Sequence, residues 1–298
     1  MSNRNARNKA ILTSLLVTFF WSTSWVFIKL GLQELPPLIF AGLRYSLAVL
    51  CLLPFFVLGK EYRNLRSLTH NDWKNVIRLG VIGYAIAQGT LFIGLKLLPT
   101  MGVSLLLNLS PVLVTFIGIS ALAEKPTKFQ WVGLILNIFG LFIYYGYSSI
   151  LSGQGIGVLI VLAGMTANSI STIIGREMNK QARLSPLMIT TLSMGIGSIL
   201  MLMGGIYFEG IPSISMQNWL VILWMAAVNT ALAFTLWNHA LRELQAMQAS
   251  IINGTMVIQI AMLAWIFLDE TLGFKQIIGM LLVGLGTIMV QLFVHKEY

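Results

Sequence analysis

The sequence predicts an all-α integral membrane protein of ten transmembrane helices, arranged as two inverted-topology repeats of five. Hydrophobic residues make up 57% of the 298 residues and charged residues only 10%, whereas a soluble domain carries about 25% charged residues. Hydrophobic runs of roughly 20 residues, the length that crosses a hydrocarbon core of about 30 Å, recur along the whole chain. Two similar segments, one in each half of the sequence, indicate the two repeats.

The hydrophobic runs are expected to be helices. Backbone groups in lipid must be satisfied within the protein, and the runs lack the period-2 alternation of a membrane β-barrel. The first run follows a basic N-terminal segment, but it is too long for a signal peptide and contains Trp21 and Trp25, so we interpret it as a retained helix. The ten runs cover residues 10–31, 36–58, 75–96, 100–123, 128–149, 153–175, 185–208, 217–239, 245–268 and 273–294.

The repeat is carried by two similar segments. ALAEKPTKFQWVG ends at Gly133, and FLDETLGFKQIIG ends at Gly279. Glu124 and Glu270 are 146 positions apart, as are Gly133 and Gly279. This spacing is close to half of the chain and indicates an ancient duplication. The predicted repeats are residues 1–149 and 150–298. Because five spans is an odd number, the second repeat is expected to insert upside down relative to the first, an arrangement that recurs in transporters.

The basic residues predict the orientation in the membrane. With the N-terminus in the cytoplasm, fifteen of the nineteen Lys and Arg residues fall on the cytoplasmic side, as the positive-inside rule requires. Lys29, Lys96 and Lys275 fall on the outer side, and Arg44 lies within the second run. The sequence therefore predicts the cytoplasmic (inner) membrane, with both termini cytoplasmic. The formal charge of +9 is interpreted as a topology determinant and not as a nucleic-acid patch.

Polar and aromatic residues recur at helical spacing in several runs. Such groups would be unpaired in lipid, so they are expected to face neighbouring helices or a wet cavity. Hydrogen bonding between helices is the alternative for any single residue, whereas the pattern across several helices favours a substrate cavity. The candidate substrate-binding residues are Thr18, Trp21, Trp25, Arg44, Tyr84, Gln88, Ser104, Asn108, Asn168, Thr172, Asn229, Trp237 and Asn253.

Arg44 is the basic residue placed within the membrane, with no carboxylate at a clear midplane position to neutralise it. One interpretation is recognition of a substrate carboxylate or phosphate, and the alternative is an arginine that snorkels or caps carbonyls of a neighbouring helix. Glu124 and Glu270 lie at helix ends, where capping or pairing with loop lysines competes with a role in gating or proton coupling. Coupling to protons stays open, as does facilitated diffusion or exchange.

The remaining composition argues against other classes of protein. No GxSxG, HExxH or phosphate-loop motif occurs, and one cysteine with three histidines builds no zinc site. We therefore expect no enzyme, no metal, no cofactor and no nucleic-acid partner. The fifth and tenth runs carry repeated glycines, which let membrane helices approach closely. They are assigned to packing within the chain or to contacts of a homodimer.

The chain resembles bacterial drug/metabolite transporters of the EamA type over nearly its whole length. The resemblance rests on FFWSTSWVFIK at 19–29, on Arg44 with Tyr45, on LLNLSPVLVTFIGISALAEKPTKFQWVGLILNIFGLFI at 106–143, and on IFLDETLGFKQIIGMLLVGLGTIM at 266–289. It implies two five-helix repeats, with helices one, three, four, six, eight and nine around a central cavity. Members commonly export amino acids or related metabolites, and relatives carry nucleotide sugars, sugar phosphates or choline.

Together these observations predict a secondary transporter that exports amino acids or similar small organic metabolites by alternating access, with the metabolite and the lipid bilayer as partners. The alternative within transport is an importer or exchanger of sugar phosphates or nucleotide-linked metabolites, which would recruit Arg44, Lys29 and Lys96. The alternative outside transport is a membrane receptor or scaffold.

Overall fold

A computed structural model of the chain describes residues 2–98, 103, 106–107, 110–122, 126–145, 155–267 and 273–292. Every regular element in these residues is helical, which confirms the predicted all-α class. The helices are α1 (Ser2–Gly31), α2 (Pro37–Leu58), α3 (His70–Arg78), α4 (Ala87–Leu97), α5 (Ser110–Leu122), α6 (Lys128–Tyr145), α7 (Gly155–Gln181), α8 (Pro186–Glu209), α9 (Met216–Trp224), α10 (Ala233–Ala240), α11 (Ala246–Gly254), α12 (Met256–Phe267) and α13 (Phe274–Leu292). A 3₁₀ helix (Glu61–Ser67) and two π-helical segments, π1 (Leu79–Ile86) and π2 (Met225–Leu232), complete the set.

Six stretches of the described residues are helical, long enough and apolar enough to cross a bilayer. They coincide with the first, second, third, sixth, seventh and eighth predicted runs, in agreement with an integral membrane fold. The other four predicted runs extend into residues that are not described, and α5, α6, the α11 and α12 pair, and α13 lie within them. The count of ten stays a prediction. The six stretches are Ala6–Ile28, Pro37–Leu58, His70–Leu97, Gly155–Gln181, Pro186–Glu209 and Met216–Ala240.

Local sequence signals mark the helix starts. Pro37 is at the start of α2, where its missing N–H would have had no intrahelical partner. At the start of α8, the Ser185 hydroxyl accepts a hydrogen bond from the Met188 N–H at 3.0 Å. The last residue of α8, Glu209, accepts from the backbone N–H of Leu38 at 3.0–3.1 Å. The carboxylate thus caps the first turn of α2 and holds the two helices together at this end.

Each π-helical segment lies within a continuous membrane-crossing helix, so α3, π1 and α4 form one rod and α9, π2 and α10 form another. Helix α8 packs directly on π1. A Cβ added to Gly80 would lie 2.7 Å from the Ser193 carbonyl oxygen, and one added to Gly197 would lie 2.7 Å from the Gly80 carbonyl oxygen. Only glycine fits this backbone-to-backbone approach.

Helices α6 and α13, from the fifth and tenth runs, pack against each other through their glycines. A Cβ on Gly140 would lie 2.7 Å from the Gly279 carbonyl oxygen, and one on Gly286 would lie 2.5 Å from the Gly133 carbonyl oxygen. This confirms the packing role predicted for the glycines, and the homodimer stays a prediction.

The surface and the interior of the bundle are both apolar. Phe40, Tyr45 and Phe92 are fully buried in a core shared by α2, α4 and α8. On the outside, Leu58 is 79% and Tyr207 83% exposed. Large apolar side chains this exposed over a wide surface are unfavourable in water and are the normal surface of a protein in lipid.

Candidate functional site

A cavity of about 160 Å³ lies between the helices in the middle of the bundle. Its described wall comes from α1, α2, π1, α4, α7, α10, α11 and α12, together with Leu107. A cavity of about 150 Å³ takes a benzene-sized molecule, so this cavity has room for a small organic solute.

Nine of the thirteen candidate residues line this one cavity. They come from seven different helices or helical segments, and therefore the structure brings together side chains up to 232 positions apart in the chain. The nine residues are Trp21, Trp25, Arg44, Tyr84, Gln88, Asn168, Thr172, Trp237 and Asn253. Ser104 and Asn108 lie outside the described residues.

Aromatic rings form much of the wall. The Trp21 ring centroid is 4.9 Å from that of Phe234 and 5.1 Å from that of Trp237, both in tilted arrangements. Tyr84 continues the cluster, with its centroid 5.2 Å from Phe234 and 5.9 Å from Tyr45. These spacings are typical of favourable ring pairs. The rings therefore support one another and present a semi-rigid apolar surface to a solute.

Arg44 is the charged residue of the described wall, and it is only 3% exposed. Its Nε donates to the Thr230 hydroxyl at 2.7 Å and its Nη2 to the Asn229 carbonyl at 3.3 Å. The guanidinium carbon lies 5.4 Å from the centroid of the Tyr45 ring. Its Nη1 donates to no described residue. Arg44 thus does cap a neighbouring helix, as one interpretation held, and its Nη1 has no partner among the described residues.

Amide side chains supply four of the other polar groups on the described wall. The Tyr45 hydroxyl donates to Gln88 Oε1 at 2.8 Å. Asn238 Nδ2 donates to the Thr190 hydroxyl at 2.9 Å, and its Oδ1 accepts from Asn179 at 2.9 Å. Asn253 Oδ1 is buried with no partner among the described residues. An unpaired buried amide oxygen is costly, which makes it an acceptor available to a bound solute.

Two candidate residues, Thr18 and Asn229, are not on the cavity wall. Thr18 is fully buried, and its hydroxyl accepts from Gln259 Nε2 at 2.9 Å on α12. Asn229 Nδ2 donates to the Thr23 hydroxyl at 2.9 Å, while the Asn229 carbonyl accepts from Trp21 Nε1 at 3.1 Å. Both residues join helices, the role that the sequence left open for any single polar residue. Asn229 acts on the cavity indirectly because it positions Trp21 and Arg44.

Several wall residues were not in the candidate set. Ser171 lies 146 positions after Trp25, and Phe234 lies 146 positions after Gln88. Adding the repeat spacing of 146 to the number of each candidate residue would have found both. Tyr45 and Asn238 gave weaker signals, since a single aromatic or amide residue in a helix has many other uses.

A basic residue of α7 binds the backbone beside one residue of the cavity wall. Leu241 lines the cavity at the end of α10, and its carbonyl accepts from Arg176 Nη1 at 2.6 Å. The same nitrogen donates to the Arg242 carbonyl at 2.8 Å. A helix leaves its last carbonyls without intrahelical partners, and Arg176 of α7 satisfies two of them. Among the described residues, no cluster of His, Cys, Asp and Glu suited to a metal ion is present.

Comparison with known proteins gives the family. The model of the EamA-like transporter family matches residues 8–146 and again residues 155–292. The chain belongs to the EamA-like transporter family. It is a multi-pass membrane transporter, and each half of the chain matches the family model separately.

Relatives of the transporter cover nearly all of its length. The uncharacterized transporter YoaV of Bacillus subtilis is 26% identical over 285 residues, which cover 94% of this chain and 96% of the relative. An uncharacterized transporter of Archaeoglobus fulgidus is 24% identical over 286 residues, covering 95% and 98%. A solved crystal structure matches with a TM-score of 0.77 at 17% identity, covering 96% of this chain and 99% of that one. That likeness supports the fold alone.

Proposed function

We propose that this protein is a secondary transporter that exports amino acids or similar small organic metabolites across the cytoplasmic membrane by alternating access. The observation that carries the proposal is the central cavity, which combines a guanidinium, several amides and an aromatic cluster within a transporter of the EamA-like family. Apolar walls with a few placed polar groups are the usual form of a small-molecule site.

The proposed topology has ten spans, with both termini in the cytoplasm. The six described spans fit it, and the remaining helices fall within the other four predicted runs. The distribution of basic residues along the sequence supports the orientation, because Lys and Arg concentrate on the predicted cytoplasmic side.

The proposed inversion of the two repeats is supported by the glycine contacts of α6 and α13. Gly140 meets Gly279, and Gly286 meets Gly133. Gly140 corresponds to Gly286 and Gly133 to Gly279 at the spacing of 146, so exchanging the repeats exchanges the two contacts. The late residue of each helix meets the early residue of the other, so the helices are antiparallel. A two-fold axis that exchanges antiparallel helices is perpendicular to them, and thus lies in the membrane plane.

Equivalent basic residues tie the third and eighth predicted spans to nearby turns. Lys96 Nζ donates to the Leu32 carbonyl at 3.0 Å, and Arg242 Nη2 donates to the Leu184 carbonyl at 2.8 Å. Lys96 and Arg242 are 146 positions apart. In the proposed topology they lie at opposite faces of the membrane. Opening either face would break one of these bonds, and matched halves give two states of similar energy.

Carriage of sugar phosphates or nucleotide-linked metabolites has less support. Lys96, one of the cations that such substrates would recruit, donates to a backbone carbonyl and is absent from the described wall. Lys29 has no described side chain. Arg44 is then the guanidinium left for a phosphate, and phosphate sites usually use several charged donors.

Uptake and counterflow in proteoliposomes test the proposal. The panel contains amino acids, organic acids, purine precursors and sugar phosphates, each measured with and without a proton gradient. We expect Trp21→Ala to reduce transport at least tenfold, because it removes the ring that joins Phe234 to Trp237. The control is Trp224→Ala, which truncates a tryptophan that is 56% exposed and absent from the described wall. Inertness towards every solute, or equal loss in both variants, would contradict the proposal.

A further inference from the structure

We infer that the cavity selects small organic monoanions: Arg44 binds a carboxylate, the aromatic cluster holds an apolar body, and the substrate needs no ammonium group. The inference rests on the proposed function and, within its class of small organic metabolites, favours carboxylic acids over amino acids. A bare carboxylic acid is then a better ligand than the corresponding amino acid or amine.

The first support is the charge state of Arg44. Both of its described hydrogen-bond partners, the Thr230 hydroxyl and the Asn229 carbonyl, are neutral. A guanidinium is always protonated, and at 3% exposure it has little contact with solvent. A buried charge without a counter-charge is unfavourable, and more so at membrane depth. A bound carboxylate would supply the counter-charge, and the free Nη1 is the donor that would meet it.

The second support is the position of the described carboxylates, none of which lines the cavity. Glu34 accepts from Asn218 Nδ2 at 2.5 Å and Glu209 caps α2. Asp72 forms a capping box with Thr69. Glu177 and Glu243 are exposed, and Glu61 is partly exposed. An ammonium group on a substrate would therefore meet amides and rings on the described wall but no opposite charge, and it would repel Arg44.

The third support is the shape and size of the remaining wall. Trp21, Phe234 and Trp237 form one face with centroid spacings of 4.9 and 5.1 Å. A flat ring or short aliphatic body packs on such a face. The volume of about 160 Å³ is close to that of a cavity of about 150 Å³ that takes a benzene ring. A single phenyl ring with a short acid chain is therefore a suitable probe.

Calorimetric titration of the purified full-length protein in detergent tests the inference without requiring transport. The four probes share one ring and differ in charge: 3-phenylpropionate is an anion, phenylalanine a zwitterion, phenethylamine a cation and 3-phenylpropionamide neutral. We expect 3-phenylpropionate to bind at least tenfold more tightly than the amine and the amide, and more tightly than phenylalanine. Tightest binding of phenylalanine would overturn the inference in favour of a zwitterion, and tightest binding of the amine in favour of a cation.

The variants Arg44→Gln and Arg44→Lys test whether Arg44 causes the preference for 3-phenylpropionate over the amide. We expect Arg44→Gln to weaken binding of 3-phenylpropionate at least tenfold, to the level of the amide, while binding of the amide itself changes less than twofold. Arg44→Lys retains the charge and should recover part of the affinity. Unchanged amide binding shows that the cavity is intact, so a folding defect is distinguishable from loss of recognition. Equal loss for acid and amide in a variant with a wild-type unfolding temperature would overturn the inference.

Binding and transport also separate this inference from the proposed function. Tight, Arg44-dependent binding of 3-phenylpropionate without transport of any solute would leave the inference standing and contradict the proposed function. Transport with no preference for acids over matched amides would contradict the inference alone.

Discussion

The two π-helical segments lie 146 positions apart, but they contribute to the cavity in different ways. π1 (Leu79–Ile86) is part of the wall, where Gly83 and Tyr84 face the cavity. π2 (Met225–Leu232) contributes no residue to the described wall. Its Asn229 carbonyl instead accepts hydrogen bonds from Trp21 and Arg44, which both line the cavity.

The π-helical segment of the first half thus lines the cavity itself, whereas the π-helical segment of the second half holds residues that line it. A π turn disturbs the regular pairing of helix carbonyls, and neighbouring side chains can satisfy the groups that it frees. In π2 the Asn229 backbone carbonyl accepts hydrogen bonds from Arg44 and Trp21. A duplicated scaffold therefore carries an asymmetric binding site, with its guanidinium anchored by the second half.

The largest effect is expected where α8 packs on π1. In Gly197→Ala the new Cβ would lie 2.7 Å from the Gly80 carbonyl oxygen and against Tyr84. Overpacking of this kind costs about 1–3 kcal/mol, so the unfolding temperature in detergent should fall by several degrees. The matched control is Gly195→Ala on the same helix, where nothing lies within 4 Å of the added Cβ. Equal unfolding temperatures for the two variants would contradict the close packing of π1.

The next largest effect concerns the support that π2 gives to Arg44. Thr230→Val removes the acceptor of Arg44 Nε, which lies 2.7 Å from the hydroxyl. A hydrogen bond to a charged group contributes about 1.5–3 kcal/mol, and we expect about a tenfold loss of affinity for 3-phenylpropionate by calorimetry. The control is Thr235→Val, whose hydroxyl bonds within its own helix to the Ala231 carbonyl at 2.7 Å. If both variants bind equally well, Arg44 does not depend on π2 for its position.

The smallest effect concerns the side chain of Asn229. Thr23→Val removes the hydroxyl that accepts from Asn229 Nδ2 at 2.9 Å. We expect a loss of stability of about 0.5–1.5 kcal/mol and less than a twofold change in affinity, since neither group lies on the described wall. A tenfold loss of affinity with unchanged thermal stability would return Asn229 to the set of direct ligands.

The membrane class follows from the sequence because the thickness of the bilayer sets the length of each apolar run. Trp21, Trp25 and Arg44 were also predictable, since polar and large aromatic residues within such runs need partners away from lipid. Asn229, a candidate ligand from the sequence, is absent from the described wall, and its polar groups are used in hydrogen bonds to α1 and α2. Phe234 gave no polar signal, and in the sequence only its spacing of 146 positions from Gln88 pointed to it.

Accessibility of the cavity from both sides of the membrane tests the proposed alternating access most directly. Cys51 is the single cysteine of the chain, so Cys51→Ser provides a background for Ser171→Cys on the cavity wall. The new thiol is treated with a membrane-impermeant thiol reagent in right-side-out and in inverted vesicles. We expect labelling in both orientations, slowed in both by a transported solute. Labelling confined to one orientation under all conditions, with no protection by solute, would contradict alternating access through this cavity.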